Sequence, residues 1–407
     1  MYIYKVGVVG AGAMGAQIAQ AISFAGIPAR LTDVTDALAQ RGLETVRRIY
    51  QFRVDKGKMT PEQLEEKMLL VTAGGGLSAL TDADVVIEAA PEDLRLKQSL
   101  FRALDRVCSP GAILASNTSA LSISALGAAT TRPGKVLGVH FFNPVYAMPL
   151  VEIIPGLATD QQTVDDAVGF AESLRKAPIV VKECAGFLVN RLLLPYLNEA
   201  VLCLQEGVAS RQEMDQAMLA FGMPSGPFAL LDHIGLDVSR HAARILHESY
   251  GPRMTPAVLL DTLVTAGRLG VKTGHGFYDY DGTGTEDFER LLAQTRPATG
   301  QATTPWTPTR LLLAMVNEAV TALQEGVASA RDIDLAMVAG TGFPQEINGP
   351  LHYADQVGLD QILHNLDALA RAGHPRFWPA PMLRRMVNAG LTGQRTGRGF
   401  FTYGGPL

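Results

Sequence analysis

The feature that most constrains the fold is a glycine-rich turn close to the amino terminus. An unbroken apolar run over residues 6–9 is typical of a strand buried on both faces. Gly10, Gly12 and Gly15 follow with the spacing GxGxxG, and small residues predict a helix over 16–25. In this arrangement the first glycine permits a tight turn, the second lets a pyrophosphate approach the backbone, and the third allows close helix–strand packing. The segment therefore predicts a dinucleotide-binding fold.

An acidic residue at the end of the next strand identifies the dinucleotide. A second strand is predicted over 30–32, and Asp33 follows it. A carboxylate here accepts hydrogen bonds from the adenosine ribose and repels a 2′-phosphate, so NAD is favoured over NADP. Arg30 precedes the acid and is expected inside the strand. Residues of the turn expected to bind NAD are Gly10, Gly12, Ala13, Met14 and Gly15.

Polar residues follow several later strands. Strands are predicted over 84–89 and 113–115, and "KVLGVHFFNP" predicts a further strand that ends in a polar cluster. Ligands of open α/β sheets lie beyond the carboxyl ends of the strands. The polar residues at such ends are Glu92, Asn117, Ser119, His140 and Asn143.

His140 and Glu152 each lie in an apolar run, twelve positions apart. On this stretch alone, a buried structural histidine is the simpler interpretation. The convergence of polar strand ends favours a functional one, in which a turn between two strands brings the pair together. Imidazole titrates close to neutral pH and suits a general base, and an ionised carboxylate beside it would set its tautomer.

A basic segment separates the second and third predicted strands. Helical spacing with a turn near Gly57 predicts an inserted helical hairpin over about 36–70. Two interpretations stay open, which are a solvated charged face and a site for a phosphorylated ligand. The basic residues assigned to substrate binding are Arg53, Lys56 and Lys58.

Charge and cysteine usage exclude several classes of protein. The net charge of −5 provides no basic field for nucleic acid or an anionic membrane. The longest apolar segment is interrupted by polar residues, so no membrane span is expected. Three widely spaced cysteines without a CxxC predict neither disulfides nor a metal site, and they favour a cytoplasmic location.

The carboxyl-terminal half contains an internal duplication. Residues 191–218 recur as 310–337, and "KTGHGFYDY" recurs as "RTGRGFFTY". The copies differ just before the repeat, where Asn190 in the first copy corresponds to Thr309 in the second. The predicted domains are 1–183, dinucleotide-binding; 184–281, first helical; 282–304, a Gly-, Thr- and Pro-rich linker; and 305–407, second helical.

The motifs together resemble the L-3-hydroxyacyl-CoA dehydrogenase family nearly from end to end. They are GAGAMG, IEAAPE, ASNTS, HFFNP, LVEII, GFLVNR, GPFALLDHIGLD and KTGHGFYDY. The resemblance implies an α/β Rossmann-like NAD-binding domain followed by two tandem all-α helical domains, where common members have one. It implies NAD-dependent, reversible oxidation of L-3-hydroxyacyl-CoA to 3-oxoacyl-CoA, in fatty-acid beta-oxidation or a related acyl-CoA pathway.

The resemblance also implies roles for individual residues. His140 resembles the general base, and Glu152 resembles the carboxylate that orients it. Ser119 resembles the hydroxyl that contacts substrate and cofactor, and Asn190 resembles the amide that holds the substrate. Because the second copy has Thr309 at the equivalent position, the resemblance implies that the first copy completes the active site. The basic hairpin matches the CoA-contacting region by position. The implied cofactor shell is Glu92, Lys97, Asn117, Ser119, Asn143 and, across a domain interface, Lys272.

Alternatives to this function and assembly stay open. One is an NAD dehydrogenase of a free hydroxy acid or sugar acid, as in crystallin-like relatives, and another is an NAD-binding protein without catalysis. The duplication is compatible with a monomer that is an internal pseudo-dimer, or with a homodimer. Association with other beta-oxidation enzymes is possible. Acyl chain length, a second substrate carboxylate and the physiological direction stay undetermined.

Overall fold

The computed structural model describes residues 3–282, 285–296 and 305–404. These residues form two compact units, the first ending at Phe187 and the second beginning at Leu188. The first is built on a mostly parallel sheet with helices, and the second is helical. The predicted fold class is therefore confirmed.

One eight-stranded sheet organises the first unit, in the order β3-β2-β1-β4-β5-β6-β7-β8. All neighbouring strands are parallel except β6 and β7, which are antiparallel. Strand order reverses between β1 and β4, which is where doubly wound sheets bind dinucleotides. The strands are β1 Val6–Val9, β2 Ala29–Thr32, β3 Val71–Ala73, β4 Val85–Glu88, β5 Ile113–Ser116, β6 Val136–Phe141, β7 Leu150–Pro155 and β8 Ala177–Val180.

Helices connect these strands and cover the sheet. The central strands β1, β4 and β5 are buried along their whole length, which explains their continuous apolar runs. The first helix begins at Ala13 rather than at the predicted residue 16, because it starts inside the glycine motif. The helices are α1 Ala13–Phe24, α2 Asp36–Asp55, α3 Pro61–Met68, α4 Leu94–Val107, α5 Ile123–Gly127 and α6 Gln161–Ser173.

Helices α2 and α3 occupy the segment predicted as an inserted hairpin. The Thr35 side chain caps the start of α2 by accepting a hydrogen bond from the backbone N–H of Leu38. At the start of α3, Thr60 and Gln63 form a reciprocal capping box, and Pro61 occupies the first turn. These local signals end one helix and start the next, so the basic residues lie at a defined bend.

The second unit contains eleven helices among its described residues. Both copies of the sequence repeat lie within this one unit. In the part of the chain that the structure describes, no helix is long and apolar enough to cross a bilayer. The helices are α7 Val189–Glu206, α8 Arg211–Phe221, α9 Pro227–Ile234, α10 Leu236–Tyr250, α11 Val258–Thr265, α12 Thr285–Thr295, α13 Pro308–Gln324, α14 Ala330–Thr341, α15 Pro350–Val357, α16 Leu359–Arg371 and α17 Pro381–Asn388.

Equivalent helices of the two copies, α7 and α13, pack against each other through reciprocal ion pairs. Arg191 of α7 donates to the carboxylate of Glu318 at 2.7 Å, and Arg310 of α13 donates to that of Glu199 at the same distance. Both arginine side chains are at most 1% exposed. Because each pair repeats the other with the copies exchanged, the contact has the isologous form of a two-fold dimer interface.

The segment 282–304, predicted as a linker, is partly helical, so that prediction is wrong for its middle. Helix α12 buries Phe288, Leu291 and Leu292. These residues have the spacing of one helical face, which outweighs the Gly-, Thr- and Pro-rich composition on either side. Residues 283–284 and 297–304 of the predicted linker lie outside the described residues.

Candidate active site

The three glycines of the turn after β1 experience different surroundings. Gly10 has a φ of 99°, and a Cβ there would lie 2.6 Å from the carbonyl oxygen of Ala89. A Cβ on Gly15 would lie 1.8 Å from the carbonyl oxygen of Gly10. A Cβ on Gly12 would meet nothing within 4 Å. Gly10 and Gly15 are therefore required by the fold, whereas Gly12 borders open space that suits a phosphate group.

The amino terminus of α1 opens onto this space. Its N-cap residue is Gly12, so no side chain caps the first turn, which contains Ala13 and Met14. Uncapped N–H groups at a helix start favour a bound anion. Asp33, at the end of β2, accepts a hydrogen bond from the backbone N–H of Ala11 at 2.7 Å. Asp33 thus lies beside the turn, as the dinucleotide fingerprint requires.

Glu92 connects two loops at the carboxyl edge of the sheet. Its carboxylate accepts hydrogen bonds from the Thr118 hydroxyl at 2.5 Å and from the Ser119 backbone N–H at 3.1 Å. Ser119 itself is exposed. Glu92 follows β4 and Ser119 follows β5, so the structure brings together these two residues predicted from separate motifs.

Beneath these loops lies a buried ion pair. Lys97 Nζ lies 2.6 Å from the carboxylate of Glu88, and these side chains are 1% and 0% exposed. Lys97 also donates to the carbonyl oxygen of Ala90 at 3.0 Å, and the Ser116 hydroxyl donates to Glu88 at 2.6 Å. The Lys97 ammonium lies 3.5 Å from the Glu92 carboxylate. These contacts hold the turns after β4 and β5 in place.

Two asparagines predicted for the cofactor shell lie at the ends of β5 and β6. The backbone N–H of Phe141 donates to Asn117 Oδ1 at 2.8 Å. The side chain of Asn143 contacts Gln17 of α1, whose Nε2 donates to Asn143 Oδ1 at 3.1 Å. Gln17 Oε1 in turn accepts from the backbone N–H of Val145 at 2.7 Å. Both asparagine side chains are therefore held by the structure around them.

The predicted contact between His140 and Glu152 is confirmed. Antiparallel pairing of β6 with β7 places the two residues directly opposite each other. His140 Nδ1 lies 2.6 Å from Glu152 Oε2, and the side chains are 6% and 0% exposed. The imidazole also packs against the rings of Phe142 and Phe187. Because Nδ1 is occupied by the carboxylate, Nε2 is the nitrogen left for proton exchange.

The basic residues of the hairpin differ in their surroundings. The Arg53 guanidinium stacks on the ring of Phe24, 4.5 Å from its centre. Lys56 Nζ lies 5.6 Å from the centre of the Phe52 ring, and Lys58 is exposed. Arg53 therefore has a structural contact, whereas the two lysines extend from an exposed surface.

Asn190 and Lys272 belong to the second unit. Asn190 is half-buried in the first turn of α7. Lys272 pairs with Asp237, with its Nζ 2.5 Å from the carboxylate. The second copy repeats this pair as Arg395 with Asp360. The same pair therefore occurs at equivalent positions of both copies.

The sequence motifs did not identify Glu88 or Gln17 as functional. Glu88 ends the otherwise apolar strand β4, and an acidic residue in a buried run is a signal that could have found it. Gln17 is a polar residue on an amphipathic helix and gives no such signal. Its role depends on the contacts to Asn143 and Val145, which are more than one hundred residues away.

Comparison with known proteins confirms the family resemblance. The model described as "3-hydroxyacyl-CoA dehydrogenase, NAD binding domain" matches residues 5–184. The model of the family's C-terminal domain matches twice, at 186–280 and 307–403. The alpha subunit of the fatty acid oxidation complex of Shewanella amazonensis is 38% identical over 397 residues. That alignment covers 96% of this chain and 56% of the relative, so the chain spans about half the relative's length.

Solved structures agree with this assignment. 3-Hydroxybutyryl-CoA dehydrogenase from Escherichia coli superposes with a TM-score of 0.86 at 30% identity, over 96% of this chain and 100% of that one. (S)-3-Hydroxybutyryl-CoA dehydrogenase from Ralstonia eutropha is 41% identical, with a TM-score of 0.67, over 69% of this chain and 100% of that one. With its glycine turn, His140–Glu152 pair and duplicated helical region, the chain therefore belongs to the 3-hydroxyacyl-CoA dehydrogenase family.

Proposed function

We propose that the protein catalyses reversible, NAD-dependent oxidation of L-3-hydroxyacyl-CoA to 3-oxoacyl-CoA, in fatty-acid beta-oxidation or a related acyl-CoA pathway. The observation that carries this proposal is the buried His140–Glu152 pair at the carboxyl edge of a dinucleotide-binding sheet. Alcohol oxidation requires a base for the hydroxyl proton and an acceptor for hydride. The pair supplies the base beside the predicted acceptor site.

The residues around the glycine turn fit NAD. Gly12 leaves room for a pyrophosphate, and the uncapped start of α1 would supply N–H groups to it. Asp33 suits the adenosine ribose and disfavours a 2′-phosphate. Glu92, Asn117, Asn143 and Lys272 complete the proposed shell, and Lys97 supports it from below. Bound NAD would supply the hydride acceptor.

The side chains of this chain then orient the substrate and move its proton. Glu152 holds the proton on His140 Nδ1, so Nε2 accepts the proton of the substrate hydroxyl. In the reverse direction the same nitrogen returns that proton. We assign to the Ser119 hydroxyl and the Asn190 amide the contacts that hold the substrate. Lys56 and Lys58 would meet the phosphates of CoA, with Arg53 beside them.

The test is oxidation of NADH with acetoacetyl-CoA. The wild type should turn over, and His140→Gln should lose about 10²–10⁴-fold in kcat with NADH affinity retained, because the variant lacks the base. His241→Gln, at an exposed position of α10, is the matched control and should behave as wild type. A folded, NADH-binding wild type without turnover would refute the proposal, as would an active His140→Gln variant.

A free hydroxy acid or sugar acid is the alternative substrate. Variants of the basic hairpin distinguish this substrate from an acyl-CoA, because only the acyl-CoA carries phosphates. Reversal of charge at Lys56 and Lys58 should raise the KM for acetoacetyl-CoA by at least about tenfold and change kcat little, since the phosphates lie far from the reacting carbon. Arg41→Glu, near the other end of α2, serves as the control. An unchanged KM would favour the free acid.

We further propose that the duplication makes the chain an internal pseudo-dimer that does not need a second copy. The reciprocal pairs Arg191–Glu318 and Arg310–Glu199 support this, because they already form an isologous contact within one chain. Sedimentation at micromolar concentration should give a species near 43.5 kDa. A tight homodimer would contradict this proposal.

Two wider assignments complete the proposed function. We propose a cytoplasmic location, in which the thiols of Cys108, Cys184 and Cys203 stay reduced. Association with other beta-oxidation enzymes is proposed because a relative is named as a subunit of a fatty acid oxidation complex. Co-purification with an enzyme that forms or consumes a 3-oxoacyl or 3-hydroxyacyl thioester would support that association, and its absence at native expression would count against it.

A further inference from the structure

Gln17 links the glycine-rich helix to the loop that follows β6. It lies in the second turn of α1, two residues beyond the last glycine of the motif. Its side-chain amide makes two hydrogen bonds to the loop, one to the backbone of Val145 and one to the side chain of Asn143. A single side chain thus holds the loop that also carries the end of the His140 strand.

The direction of these hydrogen bonds is determined by backbone chemistry. The N–H of Val145 is only a donor, so the Gln17 atom that faces it at 2.7 Å must be the carbonyl oxygen. The amino group of Gln17 then faces Asn143, which must present Oδ1 as the acceptor. The Nδ2 amino group of Asn143 consequently lies on the opposite side, as a donor. The backbone N–H of Val145 can only donate, so it determines the orientation of both side-chain amides.

We propose that Gln17 is a positioning residue that orients the Asn143 amide so that Nδ2 donates to the nicotinamide half of NAD. The order of the strands indicates which half of NAD lies near Asn143. Asp33, at the end of β2, is on the side of the adenosine ribose, and the dinucleotide crosses the sheet where strand order reverses between β1 and β4. Asn143 follows β6 on the other side of that point.

Asn117 follows the same rule. Its Oδ1 accepts from the backbone N–H of Phe141, again an obligatory donor, so its amino group also lies away from the protein contact. The two asparagines at the ends of β5 and β6 therefore both present donors. Asn117 obtains its orientation from backbone alone, whereas Asn143 depends on Gln17, which makes that orientation accessible to mutation.

The test reverses the polarity of the contact and measures cofactor binding. In Gln17→Glu, one carboxylate oxygen still accepts from Val145, and the other faces Asn143 as an acceptor. Asn143 must then rotate its amide and present oxygen where it had presented a donor. We expect the Kd for NADH, from fluorescence titration, to rise about tenfold. Gln17→Met, which permits either orientation of the Asn143 amide, should raise the Kd for NADH by a smaller factor.

ADP-ribose separates positioning from charge or misfolding. It lacks nicotinamide, so its Kd, measured by calorimetry, should stay within about twofold of wild type in Gln17→Glu. The effect on NADH should also vanish when Asn143 is already alanine, because the two residues act through one contact. Equal losses for both ligands, or an undiminished loss in the Asn143→Ala background, would overturn the inference.

This inference rests on the proposed function for the identity of the ligand, but the two fail separately. Absence of turnover with acetoacetyl-CoA in the wild type would refute the proposed reaction and leave the binding comparison intact. Unchanged NADH affinity in Gln17→Glu, with a wild type that turns over, would refute the role of Gln17 alone.

Discussion

Lys97→Met would remove one partner of a buried ion pair and keep most of the side-chain length. Lys97 and Glu88 are 1% and 0% exposed, with 2.6 Å between ammonium and carboxylate. The variant leaves the Glu88 carboxylate with hydrogen bonds from the Ser116 hydroxyl and the Ala90 N–H, but without a countercharge. Removing one partner of a buried pair typically costs about 3–5 kcal/mol. We expect a loss of that size in the free energy of unfolding.

Urea unfolding followed by far-ultraviolet circular dichroism provides the measurement. With an m-value near 2 kcal/mol per M, the expected loss lowers the unfolding midpoint of the first unit by roughly 2 M. The double variant Lys97→Met with Glu88→Gln carries no unpaired charge, so it should be more stable than Lys97→Met alone.

The same variants separate a structural role of Lys97 from direct cofactor contact. If Lys97 acts mainly as a cofactor ligand, Lys97→Met should weaken NADH binding with little change in stability. If it acts through Glu88, Lys97→Met should lower the free energy of unfolding, and any loss of NADH affinity should follow from that loss of stability. A loss under about 1 kcal/mol, or a double variant no more stable than the single one, would refute the reasoning from burial.

Two further predictions concern the glycine turn and a buried carboxylate. Gly12→Ala should fold with an unchanged melting temperature but bind NADH at least about tenfold more weakly. Gly15→Ala should fold poorly, because its Cβ would lie 1.8 Å from a carbonyl oxygen. Similar melting temperatures for the two variants would contradict this prediction. Burial raises the pKa of Asp334 to about 6, against about 3.9 in an unfolded chain. The folded state therefore binds more protons between about pH 4 and 6, and its stability falls as pH rises through that window, by about 3 kcal/mol at most. Asp334→Asn should flatten this slope in unfolding titrations, and an unchanged slope would count against the assignment.

Elements with local causes could be predicted from the sequence. The glycine turn follows from residues close along the chain, and the largest difference from the prediction there is the start of α1 at Ala13. The His140–Glu152 contact could be predicted because two apolar runs joined by a short connection form antiparallel neighbouring strands. The linker prediction failed over α12, because composition was weighed above the helical spacing of Phe288, Leu291 and Leu292.

Contacts between distant segments could not be predicted. Gln17 meets Asn143 only because the loop after β6 folds back over α1, and Lys97 meets Glu88 only because α4 returns beside β4. The motif placed Lys97 in the cofactor shell, whereas the structure gives it a buried partner. Nothing in the sequence near Gln17 or Lys97 indicates which residue its side chain contacts.

By itself the sequence determined the fold class, the dinucleotide motif, the contact between His140 and Glu152 and the duplication, since each depends on periodicity or spacing along the chain. Only the tertiary structure decided which amide atom each asparagine presents, which charges are buried together, and how the two copies join through Arg191, Glu318, Arg310 and Glu199. The physical reason is that hydrogen bonds and ion pairs depend on distances and directions of a few ångströms between groups far apart in sequence, and these arise only when the chain has packed.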